Sequence, residues 1–459
     1  VTGWPGPITR ARASLRALEA LDRISAEGGR PSAGDLDDLQ GWAGWGPMAP
    51  AFSPIRKDAW QQIGERLEWL LPPDQLREAE QATPNAFYTP PGLAAACWQI
   101  LSGLGFDRGR VLEPGCGAGA FMAAAPGNAE VRWTGVERDP VTARIAQLLH
   151  PAARIISDRL QNAALPAHSA DAVIGNVPFA ETAVYDPTAP KEVTRSLHNY
   201  CIWRSARTLR PGGVAVLITS RYTMDARDPR AREAIAAEAE LIGAIRLPND
   251  ALSPGGTEAL ADILVLRRRD TGTPDDGGTP DGGSTSFEEG TPVGGADWMD
   301  TVPLSEAVRG RQWGYQDRVN RWFVAHPSAV LGELRPDHAA LYGRTVRVDR
   351  PAGAGPLGEA LADATRRLVT SARERGLTWS PPAIVVPDAG RVGIPERADG
   401  RKERSFHLTG SGAACQVQDG VLVPVASQGR ELAELTALIR LRDTAVSLLD
   451  AEADHDRGE

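Results

Sequence analysis

The sequence predicts an α/β fold, a doubly wound, Rossmann-like parallel sheet with an antiparallel edge strand, a helical N-terminal extension and a mixed C-terminal region. Three observations carry this. β-rich runs alternate with helix-like segments from about 86 to 269; the last two runs follow each other across a loop alone; and a stretch rich in Gly, Asp, Thr, Ser and Pro, from Asp270 to Ala296, has almost nothing to bury. At 459 residues the chain is long enough for two or three cores. The expected divisions are a helical region 1–85, the α/β domain 86–270, a disordered linker 271–297, and a mixed α/β region 298–459.

Each element has its own signal. Residues 8–27 and 57–82 carry helical apolar spacing around a Gly/Trp loop, Gly41-Trp42-Ala43-Gly44-Trp45-Gly46. Strands are expected at Arg110–Leu112, Val131–Val136, Arg154–Ile156, Ala172–Ile174, Val214–Ile218, Leu241–Ile245 and Ala261–Leu266. Beyond the linker, helices are expected over 315–326, 356–375 and about 428–452. A strand is expected at Ala383–Val386 and a hairpin turning at Asp419-Gly420. In the last helix Leu432, Leu435, Leu438, Ile439, Ala445, Leu448 and Leu449 form an apolar stripe suited to core or to docking.

The cysteines (97, 116, 201, 415) show neither metal spacing nor a disulfide pattern, which suits a reducing cytoplasm, and no metal is expected. No apolar segment approaches 18 residues, and the N-terminus lacks a signal pattern, so the expectation is a soluble, cytoplasmic protein with no membrane partner. The net charge is −9, yet Lys191 to Arg232 holds nine Lys or Arg against three acids, a cluster able to meet phosphates or to form a solvated helix face. No G-x-x-x-x-G-K-[ST] loop occurs, so no ATPase motor is recognisable.

After the first strand stands Glu113-Pro114-Gly115-Cys116-Gly117-Ala118-Gly119-Ala120, where glycines let the backbone approach a nucleotide. Gly115, Gly117 and Ala120 also satisfy the dinucleotide fingerprint, with Glu137 about twenty residues on. Three details favour S-adenosyl-L-methionine: Glu113 precedes the glycines and can serve a methionine ammonium, a third glycine falls at 119, and Glu137 ends the next strand, where it can hold ribose hydroxyls. Asp158, after the third strand, can accept from the cofactor adenine amine, or act as a helix cap or turn residue. Cys116 reads as a small filler.

Asn176-Val177-Pro178-Phe179, directly after Ala172-Val173-Ile174 and Gly175, is the chemically informative stretch. An exocyclic base amine is a poor nucleophile until acceptors pull on its protons. The Asn176 side-chain carbonyl and the Val177 main-chain carbonyl can be those acceptors. Phe179 can stack on the base, worth roughly 1–3 kcal/mol. Taken alone, the four residues also describe a strand end, a proline turn and a core phenylalanine.

Phe87-Tyr88-Thr89-Pro90-Pro91, then Leu112 to Gly119, then Gly135-Val136-Glu137-Arg138-Asp139-Pro140, then Gly175 to Phe179 resemble, in order, the motifs of N6-adenine-specific DNA methyltransferases. The resemblance covers about 36–270. His198-Asn199-Tyr200, Arg210-Pro211-Gly212-Gly213, Thr219 to Asp225, Trp42 to Gly46 and Val319 to Phe323 are similar to a subgroup, the large methylase–helicase proteins of bacterial mobile elements and phage-related systems. The resemblance implies a Rossmann-like methyltransferase sheet and methyl transfer from S-adenosylmethionine to adenine N6 in DNA. Tyr88 and Thr89 would contact the methionine end of the cofactor. Base flipping would place the adenine on Phe179, with Tyr222 a candidate for its opposite face and Arg221 a substrate contact. DNA is the implied partner, with a helicase/ATPase or another defence-system subunit. One departure is that Val177 stands where most of the family has proline; another is that 298–459 carries no decodable target-reading motif. Protein glutamine methylation, and a catalytically weak DNA- or partner-binding module of a phage defence or anti-defence complex, are the alternatives. A dinucleotide oxidoreductase leaves Asn176 to Phe179 without work.

Overall fold

A computed structural model of the chain describes residues 5–83, 89–255, 258–269, 298–307, 317–337, 345–381, 404–408, 414–418, 421–425, 432 and 434–445. It divides into two compact units, Val1–Pro382 and Ala383–Glu459.

The helical extension comprises α1 (Pro7–Ala26), α2 (Ala33–Gln40), a 3-10 turn over Gly46–Phe52, α3 (Ala59–Leu70) and α4 (Pro73–Ala82). The single helix expected over 57–82 is broken at Pro72-Pro73, because a ring nitrogen cannot donate to the preceding turn. Not foreseen was α2, which begins with a capping box: the Ser32 hydroxyl accepts from the Asp35 N–H while the Asp35 carboxylate accepts from the Ser32 N–H.

The central domain follows as α5 (Pro91–Gly103), β1 (Arg108–Pro114), α6 (Ala120–Ala123), β2 (Glu130–Glu137), α7 (Pro140–Leu149), β3 (Arg154–Ser157), β4 (Ala170–Asn176), α8 (Lys191–Thr194), α9 (Leu197–Thr208), β5 (Leu209–Ser220), α10 (Tyr222–Asp225), α11 (Arg230–Glu238), β6 (Glu240–Arg246) and β7 (Ala261–Arg267). All seven strands lie in one sheet, in the order β3-β2-β1-β4-β5-β7-β6. Neighbours from β3 to β5 are parallel, and β7 runs antiparallel to both β5 and β6, so the expected antiparallel pair closes one side of the sheet. This is the doubly wound, Rossmann-like sheet with an antiparallel edge expected from the sequence.

Alternation decides which face each strand residue feeds. Leu112, Val173, Ala215, Leu217, Leu264 and Leu266 face a core shared with α9 and α11, whereas Val111, Ala172, Ile174, Val216, Ile218 and Ile263 face one shared with α5. Burial on both faces is why these strands read as unbroken apolar runs.

Residues after the linker complete this unit. They form β8 (Thr301–Pro303), α12 (Leu304–Ala307), β9 (Arg318–Asn320), α13 (Arg321–Ala325), β10 (Glu333–Asp337), β11 (Thr345–Asp349) and α14 (Leu357–Glu374). Of the helix expected over 315–326, Arg321–Ala325 is helical and Arg318–Asn320 is not, while residues 315 and 316 lie outside the described residues. Asn320 is buried and its Nδ2 donates to the carbonyls of Met224 and Trp298, which draws Arg318–Asn320 into an extended pair with β8. The expected helix at 356–375 is α14, whose Leu361 and Ala364 join the α5 core. Its exit is tied down: Trp379 N–H donates to Leu104 C=O (3.0 Å), Trp379 Nε1 to Asp171 C=O (3.2 Å), and Arg210 Nη2 to Ser380 C=O (2.5 Å).

A buried charge network holds the same region. Arg246, at 0% exposure, donates to both oxygens of Asp225 and both of Asp262 at 2.8–2.9 Å, and its guanidinium lies 4.1 Å from the Phe323 ring centre. Asp225 Oδ1 also accepts from Asn320 N–H (2.9 Å). The Thr219–Asp225 and Val319–Phe323 motifs are thus two halves of one buried contact.

The second unit contains β12 (Phe406–Leu408), β13 (Ala414–Gln418) and β14 (Val421–Pro424), an antiparallel three-stranded sheet, with residues 434–445 helical. Gln418 pairs with Val421, as the hairpin at Asp419-Gly420 requires. In the final helix Ile439 is buried and Leu438 is exposed; Leu448 and Leu449 lie outside the described residues, as do Ala383–Val386 and the linker 271–297.

Candidate functional site

Strand order reverses between β1 and β4, and parallel strands diverge there at their C-terminal ends, the usual place for a crevice in such sheets. A cavity of about 360 Å³ occupies it. Its wall gathers Thr89, Glu113, Gly115, Gly117, Glu137, Asp158, Asn176, Val177, Pro178 and Phe179 from positions spread over ninety residues. Of the other residues singled out in the sequence, Tyr88 lies outside the described residues, and Gly119, Arg221 and Tyr222 are not on this wall. Tyr222 opens α10, 45% exposed, with the Arg221 guanidinium 4.5 Å from its ring centre.

Asn176 ends β4. Its Nδ2 donates to the Thr89 hydroxyl (3.1 Å), and its Oδ1 is buried with no partner among the described residues. A buried acceptor left bare costs about 1–3 kcal/mol unless something donates to it. Val177 is buried in the core, and its N–H donates to Ile218 C=O on β5 (2.9 Å), so a peptide hydrogen bond fixes the turn where a proline ring would otherwise do so. Past Phe179, the Ala180 carbonyl accepts from Leu197 N–H (3.0 Å) and from His198 Nδ1 (3.2 Å). Burial, opposed by that bond, brings the His198 pKa down to about 4, so the ring is neutral and its Nδ1 proton anchors the loop.

Glu113 is the penultimate residue of β1, at 1% exposure, and its Oε2 has no partner among the described residues. Burial pushes its carboxyl well above the usual range, a backbone hydrogen bond from Phe121 opposes this, and the charge of Glu137 adds to it. Glu137 is held by two backbone donors, Gly117 N–H to Oε2 (3.0 Å) and Asp139 N–H to Oε1 (2.8 Å); burial raises its pKa, and those two bonds act against the rise. Asp158 Oδ1 accepts from Arg159 N–H (2.6 Å) and Asn162 Nδ2 (2.9 Å), so the residue caps a turn as well as facing the cavity. Gly119, at φ +88°, caps α6, and a Cβ there would meet His150 Nε2 at 2.4 Å.

Cys116 and Cys201 line the cavity but are not nucleophiles at neutral pH: burial pushes the first thiol well up and the second to about 12. Among the described residues, no group of three or more His, Cys, Asp or Glu is placed to hold a metal ion. No described helix is long and apolar enough to cross a membrane.

Several cavity residues were missed in the sequence, among them two from outside the central domain. Trp45 and Ala82 reach the wall from the helical extension. The signal was available for Trp45, since a Trp pair in a Gly-rich loop needs a surface to bury against. The basic run 191–232 is partly internal: Arg210 binds Asp171 (2.5 Å), and buried Arg232 donates to the carbonyls of Ala226 (2.8 Å) and Met299 (2.6 Å), while Lys191, Arg195, Arg227 and Arg230 are exposed. Lys191, Arg195 and Arg227 are its exposed members without such a fixed role among the described contacts.

Fold and site together define a Rossmann-like sheet with a glycine-loop cavity at its switch point. No family model matches the chain. It is 31% identical over 190 residues to Defense against restriction protein B of Escherichia phage P1, a match covering 40% of this chain and 8% of that protein. Among solved structures it is similar to a type I restriction-modification methyltransferase subunit from Streptococcus thermophilus (TM-score 0.37, 15% identity, 56% of this chain and 66% of that one). It is also similar to a Listeria monocytogenes protein assigned to the class I S-adenosylmethionine-dependent methyltransferases (TM-score 0.37, 16% identity, 57% and 88%).

Proposed function

We propose that this chain methylates the N6 amine of adenine in DNA, with S-adenosylmethionine as donor. The observation that carries this is Asn176 Oδ1, a buried acceptor with no protein partner among the described residues, oriented by Thr89 on a cavity wall that also holds Glu113, whose Oε2 is likewise unpartnered.

The residues present fit the cofactor. A bare buried carboxylate oxygen calls for a cation, and the methionine ammonium supplies one to Glu113. Glu137, held by two backbone donors, keeps acceptor capacity for ribose hydroxyls, and Asp158 offers a carboxylate to the adenine amine. Tyr88 and Thr89 are assigned to the methionine end. When bound, the cofactor supplies an electrophilic methyl on a sulfonium, so no strong base is needed. On the substrate side, Asn176 Oδ1 and the Val177 carbonyl accept from the exocyclic amine, and Pro178 stiffens the turn. Phe179 stacks on a base drawn out of the helix. Positioning of the amine by these acceptors supplies much of the rate.

The 31% identity to a phage protein named for defence against restriction supports a setting in which methylation meets restriction, alongside a motor or another defence-system subunit. Residues 298–459, beyond the linker, are assigned to DNA or partner binding.

The test is incubation with labelled S-adenosylmethionine and DNA, followed by nucleoside digestion. N6-methyladenine from the native chain, and none from Asn176→Ala despite retained binding of S-adenosylhomocysteine, is expected. Label on glutamine of a protein instead, or full activity of Asn176→Ala, overturns the proposal.

A further inference from the structure

We infer that Trp45, from the helical extension, is a positioning residue for the ribose end of the cofactor, acting through Asp139 on Glu137; this rests on the cofactor assignment proposed above. Trp45 is 1% exposed, yet its ring forms part of the cavity wall. Its indole Nε1 donates to Asp139 Oδ2 (3.0 Å). The same oxygen accepts from Thr142 N–H (2.8 Å), the capping bond that starts α7, and Asp139 N–H in turn donates to Glu137 Oε1 (2.8 Å). Indole, α7 cap and Glu137 are therefore linked hand to hand.

Capping alone does not require the indole, because the Thr142 N–H satisfies Asp139. The Thr142 hydroxyl also donates to this oxygen (2.5 Å), and the indole, a third donor on it, restricts the Asp139 side chain and seats its backbone N–H against Glu137. Trp42 reinforces the arrangement from outside the cavity: it meets Trp45 edge-on, with ring centres 4.9 Å apart, and its own Nε1 donates to Thr142 Oγ1 (3.2 Å). The packing agrees, since Ala118 of the glycine loop and Val141 and Leu148 of α7 pack into the apolar core of the helical extension. The extension is thus the rear wall of the cofactor site, and occupancy of the site and seating of the extension favour one another.

The experiment is calorimetric titration with S-adenosylhomocysteine of the native chain, Trp45→Phe, Trp42→Phe, Glu137→Ala and Trp45→Phe/Glu137→Ala, with thermal unfolding of each without ligand. Trp45→Phe keeps an aromatic wall and loses one hydrogen bond, so affinity should fall about five- to tenfold. Trp42→Phe should lose little, and Trp45→Phe should cost nothing further in the Glu137→Ala background. Native affinity in Trp45→Phe, an equal loss in Trp42→Phe, or the full loss repeated without Glu137 each overturns the inference. Failure of the native chain to bind overturns the cofactor assignment and this inference with it, whereas native binding with an unaffected Trp45→Phe overturns the inference alone.

Discussion

Replacing Glu113 by glutamine isolates what it costs to keep a carboxylate in the cavity wall. Glu113 is 1% exposed, one of its oxygens has no partner, and burial raises its pKa well above the usual value while the backbone hydrogen bond from Phe121 opposes this. A folded-state pKa above the unfolded value, about 4.3, means that the folded chain binds the proton more tightly. Its contribution to stability is fully present below the unfolded pKa and is lost as pH rises through the folded pKa. Between those two values the native chain should lose up to about 1.4 kcal/mol per pH unit relative to Glu113→Gln, and above them the gap should be constant. For a unit of this size that is roughly 2 °C in Tm per pH unit. The assay is thermal unfolding of both proteins, without ligand, from pH 4 to 8. Glu113→Gln should unfold at the higher temperature at neutral pH, with the advantage shrinking towards acid. A difference independent of pH would refute the assignment of Glu113 as a buried, uncompensated acid. With S-adenosylhomocysteine the order should reverse, because the ammonium then supplies the missing counter-charge to the native carboxylate.

Three further substitutions probe the frame around the site. Thr89→Val removes the acceptor that orients Asn176 (3.1 Å), so kcat for DNA methylation should fall about tenfold with a smaller change in KM for the cofactor; an unchanged kcat contradicts that role. Val177→Pro should destabilise the protein by about 1–3 kcal/mol in denaturant unfolding, because it deletes the Val177 N–H bond to Ile218 C=O; a gain in stability would show that the hydrogen bond is dispensable. Arg246→Met leaves Asp225 and Asp262 buried without their cation and should cost about 3–5 kcal/mol, measured the same way, and a near-neutral result would refute the network as a structural tie.

The parts legible in the sequence were those where one local rule sufficed. Strands buried on both faces must be continuous apolar runs, and Val173, Leu217 and Leu264 announced theirs. Glu113, Glu137 and Asn176 were legible because an acid or amide directly after such a run stands at the carboxyl edge of the sheet. What escaped was decided by partners distant in the chain. Trp45 finds Asp139 across 94 residues, and nothing near Trp45 names that partner. Arg210 and Arg232 counted towards a basic surface, but Asp171 and the carbonyls of Ala226 and Met299 take them inside. Asn320 sits within helical spacing, yet buried carbonyls of Met224 and Trp298 outweigh that local preference. Val177, which stands where the motif it resembles carries a proline, has its own fixing in Ile218 C=O.

The anchoring of residues 377–380 has a consequence for synthesis. Leu104, Asp171 and Arg210 lie near the beginning and middle of the unit, and each is hydrogen bonded to Trp379 or Ser380. A nascent chain that has emerged only as far as residue 270 carries every strand of the central sheet but none of these late partners, Trp379 among them, which meets Phe106 edge-on at 5.4 Å. Closure must therefore wait for more than a hundred further residues to leave the ribosome, at roughly 5–20 residues per second. Long-range closure of this kind slows folding and leaves apolar surface open meanwhile. Expression of the sheet by itself, cut at the linker, should give aggregation where the whole unit through Pro382 folds.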